Sequence, residues 1–167
     1  YYGCAAGGHG HFDRLTIEFF GEGKVLLPEM GYPTQWGDKA TNWTSNTISH
    51  YAVLVNEKKQ QNLSAGRLNT FTASPEVKLM DASAEIAYPE DVSLYRRTTA
   101  LIDASSQDSD LVDIFRVKGG KQHDWSFHGP AFADPDFSLQ GVELSPQAKG
   151  TVAGEDVEFG QTPKNYQ

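Results

Sequence analysis

Little cysteine, little positive charge and no long apolar run mark this chain, and each shortage removes a class of protein. A single cysteine, Cys4, among 167 residues permits neither an internal disulfide framework nor a Cys-rich zinc module. No apolar stretch approaches the roughly 20 residues that a membrane span requires. Only 14 Lys and Arg stand against 22 Asp and Glu, a formal charge of −8. The dense basic face that binds nucleic acid is therefore missing, although a local cluster can still hold a small anion. Helical periodicity is scarce as well. The chain opens on Tyr1-Tyr2-Gly3, without an initiator methionine or a signal segment, so it is expected to be a piece of a longer or processed protein.

What the chain does have is two-residue alternation rich in β-branched and aromatic side chains. Residues 15–20 (LTIEFF) read as a strand, Gly21-Glu22-Gly23 as a hairpin loop, and residues 24–27 (KVLL) as the return strand. Further strands are expected at 47–57, 68–72, 76–80, 84–88, 94–103, 111–118 and 123–128, with a polar loop at 104–110. LVDIF, at 111–115, carries apolar groups on both faces, which fits a sheet covered on two sides. Many short strands with turn residues between them predict an all-β fold, an antiparallel β-sandwich. No linker divides residues 1–167, read as one domain whose polar tail, 160–167, is expected to fray.

GGHGHFD, residues 7–13, crowds two histidines between glycines ahead of an aspartate. Residues i and i+2 of an extended segment share a face, so His9 and His11 can converge on one target. Glu29, in LLPEMGYP, ends the returning hairpin strand and is expected near the segment that enters at His11. His50 sits within TISHYAVLVNE, where as a strand residue it would share an apolar face with Ile48, Ala52 and Leu54. Two imidazoles and a carboxylate are a ligand set that zinc favours. His11, Glu29 and His50 are thus expected metal ligands, leaving His9 for other work. The plainer alternative is a set of surface and core histidines without chemistry.

GGHGHFDRLTIEFFGEGKVLLPEMGYP followed by SNTISHYAVLVNEKKQ, with LYRRTTALID and LVDIFRVKGGKQHDWSFHG further on, resembles the C-terminal β-domain of heparinase II/III-like polysaccharide lyases. The resemblance runs from about residue 7 to 130 and is densest in the first 60. It implies an enzyme built from an N-terminal α/α-toroid and a C-terminal β-sandwich, secreted or periplasmic. Such an enzyme cleaves an anionic uronate-containing polysaccharide by β-elimination. It also implies that His9 faces the sugar while His11, Glu29 and His50 hold a structural zinc. Glu29 stands where aspartate is the more usual ligand, a departure that keeps the charge and lengthens the arm.

Other residues carry smaller expectations. Asp13 can accept a hydrogen bond from a ligand imidazole or from Arg14. Tyr32 is a candidate sugar contact or auxiliary acid/base, and Trp36 and Trp43 can stack on sugar rings. Two readings compete with the lyase. One is a non-catalytic, metal-stabilised carbohydrate-binding or structural sandwich. The other is a cupin-like metalloprotein, disfavoured because Glu18 follows the histidine pair too distantly and no later Pro-x-Gly and histidine element lines up.

Overall fold

Antiparallel pairing organises the described residues into three sheets. The computed structural model describes residues 10–31, 39–61, 65–130, 132, 133, 136, 138–159 and 161. Strands β1 (Phe19–Gly21) and β2 (Lys24–Leu27) form a hairpin. Its two loop residues, Glu22 and Gly23, both adopt positive φ, 52° and 73°, as a tight hairpin whose twist matches its strands demands. The expected strand at 15–20 starts late. Leu15 itself takes a φ of 65°, and the N–H of Thr16 donates to the Asp13 carbonyl at 2.9 Å, so residues 13–16 turn instead of extending.

The largest sheet is a meander of β4 (Arg67–Ala73), β5 (Val77–Ser83), β6 (Val92–Asp103) and β7 (Ser109–Gly119). The β6–β7 pairing runs from Val92↔Gly119 to Asp103↔Ser109, with one register shift between Val92 and Leu94. Between those strands the Ser105 hydroxyl oxygen accepts the N–H groups of Gln107 (3.1 Å) and Asp108 (3.0 Å), a side-chain-closed turn. One face buries Ala82 and Tyr95, with Phe115 and Val117 packed beside them. The other face is not covered as LVDIF suggested: Val112 and Ile114 are 43% and 50% exposed.

A third pair, β3 (Val53–Val55) with β8 (His123–Trp125), lays Val53 and Val55 against the buried face of the meander. Tyr95, wholly buried, donates its hydroxyl to the Val53 carbonyl at 2.5 Å and meets Tyr88 edge-on at 5.3 Å. A second small core joins Trp43, Ile48 and Leu54. The architecture is all-β and antiparallel, consistent with a sandwich.

Three local readings need correction. Residues 47–57 are not one strand: a 3-10 turn, Thr47–Ser49, precedes β3. Asn46 accepts the Ile48 N–H through its side chain (3.3 Å), and the Ser49 hydroxyl donates to the carbonyls of Trp43 and Asn46 (2.6 and 2.8 Å). Such local bonds offer the backbone an alternative to a ladder. Residues 84–88 likewise hold a 3-10 turn, Glu85–Ala87, with the Tyr88 N–H on the Glu85 carbonyl at 3.0 Å. A short helix, α1 (Lys39–Thr44), was not expected, since six residues are too few to establish a helical period.

On the outer face of the meander, Asp81 gathers donors from three strands. It accepts from Asn69 (2.8 Å), Arg96 (2.7 Å) and Arg116 (3.2 Å), and from the Thr98 hydroxyl. Burial by itself would raise its pKa, but the bonds from Arg96, Thr98 and Asn69 hold it below the ordinary value of 3.8. A carboxyl with a depressed folded-state pKa contributes stability in full above its unfolded value and loses it as pH falls through the folded one. Asp81→Asn is therefore expected to destabilise the protein by about 1–2 kcal/mol at neutral pH. It should also make the fall in Tm below about pH 4 shallower than in the wild type. Parallel acid titrations of Tm in both proteins would contradict this.

Candidate metal centre

Two loops and one hairpin end meet where the histidines lie. The segments around residues 11–16 and 45–51 are cross-tied. The Phe12 N–H donates to the Ser45 carbonyl (2.9 Å), the Thr47 hydroxyl to the Phe12 carbonyl (2.7 Å), and the Tyr51 N–H to the Thr16 hydroxyl (3.1 Å). Beyond β2, Pro28 has no N–H to continue a ladder, and Gly31 turns the chain at a φ of 69°. Glu29 is thereby delivered between the two loops. Its Oε1 lies 3.2 Å from His11 Nδ1 and 3.2 Å from His50 Nε2. The imidazole centroids are 5.4 Å apart, and His50 is almost fully buried.

The tautomer of His50 gives this geometry its meaning. His50 Nδ1 lies 2.7 Å from the Asn46 carbonyl, which can only accept, so Nδ1 carries a proton. In a neutral ring Nε2 is then a lone pair, aimed at a carboxylate oxygen that is also an acceptor. Two acceptors 3.2 Å apart call for a cation, either a proton on the ring or a metal between them. A tetrahedral zinc with ligand bonds of about 2.0–2.1 Å sets its donors about 3.3 Å apart, close to both separations. The donor set and its spacing therefore fit a zinc-sized ion. A histidine whose other nitrogen is anchored to a carbonyl is also the usual orientation device at metal sites.

Burial would raise the pKa of Glu29, but the hydrogen bonds of His11 and His50, with their charge, hold it far below the ordinary carboxylate range. Its Oε1 also receives the Gly31 N–H at 3.3 Å. Asp13 joins the cluster: donor atoms of His11, Asp13 and His50 lie within 4.8 Å of one another, a group that could hold a metal ion. Asp13 also takes Nη1 of Arg14 at 3.0 Å. The sequence assigns Asp13 only the acceptor role; its place among the possible ligands comes from the structure.

The remaining expectations divide. His9, Tyr32 and Trp36 lie outside the described residues. Trp43 is a packing residue rather than an open stacking platform: on α1 it is only 7% exposed, held by Ile48 and Leu54. A cleft of about 460 Å³ opens beside Glu29, lined by Met30, Trp43, Ser126, His128 and Phe132 among others. His128 stacks on Tyr51 at 4.2 Å, its Nδ1 hydrogen-bonded with the Tyr51 hydroxyl at 2.9 Å.

A family model described as heparinase II/III-like, C-terminal, matches residues 2–161. No curated protein matches the chain.

Proposed function

The chain belongs to the heparinase II/III-like C-terminal family, and we propose that it is the β-domain of a polysaccharide lyase that cleaves uronate-containing glycans. The observation that supports this most is the meeting of His11 and His50 on one carboxylate oxygen of Glu29 at 3.2 Å. In our reading the ion is zinc, bound by His11, Glu29 and His50 with an oxygen of Asp13 within reach. When bound it would supply structural cross-linking, tying the loop at His11 to the loop at His50, with Asp13 as a further carboxylate donor that could close the site.

The reaction itself is a β-elimination. A base removes the C5 proton, a C4–C5 double bond forms, and the C4–O bond breaks with its electron pair going to the leaving oxygen, which takes up a proton. C5 beside an ionised carboxylate is a poor acid, so donors must neutralise that carboxylate as negative charge develops. His9, two residues before a ligand, works at this edge of the sugar. Tyr32 assists proton transfer and Trp36 stacks on the glycan. An N-terminal toroid supplies the rest of the constellation across the cleft, and the enzyme acts in the periplasm or outside the cell.

Incubated with uronate glycans, the full-length protein is expected to release unsaturated products, followed by their ultraviolet absorbance. The 167-residue chain alone is expected to release none. A full-length protein that binds such a glycan yet leaves no unsaturated end would overturn the lyase reading in favour of a binding module.

A further inference from the structure

Arg97 lies on β6, a strand that contributes nothing to the donor cluster, yet it reaches both loops that do. Its guanidinium is buried, 4% exposed. Nε and Nη2 each donate to a carboxylate oxygen of Asp113 on β7, both at 2.7 Å. Nη1 donates to the Leu15 carbonyl at 2.7 Å and also to the Tyr51 carbonyl. Four of the five guanidinium protons are thus committed, two toward the sheet and two toward the loops. Phe115 lies under the group, 5.3 Å from its carbon.

The two carbonyls are placed tellingly. Tyr51 directly follows His50, and Leu15 stands two residues beyond Asp13 and four beyond His11. Leu15 also holds a φ of 65°, a conformation that a leucine adopts only when its surroundings impose it. One planar cation fixed by a bidentate carboxylate therefore ties both histidine-bearing loops to the four-stranded sheet.

We propose that Arg97, oriented by Asp113, is the positioning residue of the metal centre: it references both ligand loops to the rigid four-stranded sheet. This rests on the zinc reading above. Lysine cannot replace it, because an ammonium is a point charge and cannot span two carbonyls and a carboxylate in one plane.

The test is zinc affinity of the full-length protein by chelator competition, with the Co²⁺ ligand-field spectrum as a report of donor geometry. Arg97→Lys is expected to bind zinc about 10- to 100-fold more weakly and to alter the cobalt spectrum. Asp113→Asn, which keeps the guanidinium but loosens its anchor, should weaken binding by a smaller factor. Asp81→Asn, on the opposite face of the same sheet, should lower Tm and leave zinc affinity and spectrum unchanged. Wild-type affinity and spectrum in a folded Arg97→Lys or Asp113→Asn would overturn the proposal. So would an equal loss in Asp81→Asn, since general stability would then explain the effect. A wild type that binds no zinc would instead remove the reading on which it rests.

Discussion

Replacing His50 by alanine is expected to strip the protein of its zinc and to lower its stability by about 3–5 kcal/mol, the scale seen when one partner of a buried charged pair is deleted. Three effects add in the same direction. The ligand is lost, and metal binding at such sites is itself folding free energy. The buried Asn46 carbonyl loses the imidazole N–H that it holds at 2.7 Å. Among the described residues, the half-buried Glu29 carboxylate then keeps His11 and the Gly31 N–H. Metal content after dialysis and thermal melts with and without chelator measure the effect. The wild type treated with chelator should approach the melting temperature of the variant, whereas the variant should not respond to chelator at all. A His50→Ala protein that retained stoichiometric metal and the wild-type Tm would contradict the assignment.

His9→Ala should show the opposite pattern. The full-length variant is expected to keep its zinc and its Tm while kcat/KM falls by about 10²–10⁴-fold, the range attributable to one well-placed acid, base or donor. The separation follows from the ligand assignment: His11 bonds Glu29, and the zinc reading does not call on His9. Two further substitutions define the role. Glutamine can donate a hydrogen bond to a uronate carboxylate but cannot take a proton from C5, so partial rescue by His9→Gln marks a donor and no rescue marks the base. Wild-type turnover in His9→Ala would remove the residue from the mechanism.

The sequence conveyed the long strands well because alternation in them is uninterrupted. Arg96 and Arg97 show it clearly: adjacent in sequence, they go to opposite faces, Arg96 to Asp81 and Arg97 to Asp113. The hairpin 19–27 was readable from its turn residues. The approach of His11, Glu29 and His50 was also anticipated, from the hairpin's return and from the family pattern, but His50 was expected for the wrong local reason. TISHYAV is rich in strand-forming residues, yet Asn46 and Ser49 cap a 3-10 turn there, and His50 is its exit residue rather than a strand residue. Polar side chains that bond their own backbone override propensity over three or four residues, too short a span for any periodic signal. Trp43 was misplaced for a related reason: a six-residue helix carries one tryptophan inward without leaving a pattern. The reach of Arg97 to the two loops left no signal, because those carbonyls lie 46 and 82 residues away.

Among the described residues, the loops that carry the donors share no strand ladder. They are held by single bonds, Phe12 to Ser45 and Thr47, Tyr51 to Thr16, and by the guanidinium of Arg97. A cation among the donors would be the strongest of these ties, and it would fix the direction of the loop that precedes His11.

Anomalous diffraction at the zinc edge, from crystals of the protein grown without added metal, tests this most directly. One peak is expected per chain, within bonding distance of His11 Nδ1, Glu29 Oε1 and His50 Nε2. Well-ordered density for all three side chains with no anomalous peak between them would contradict it.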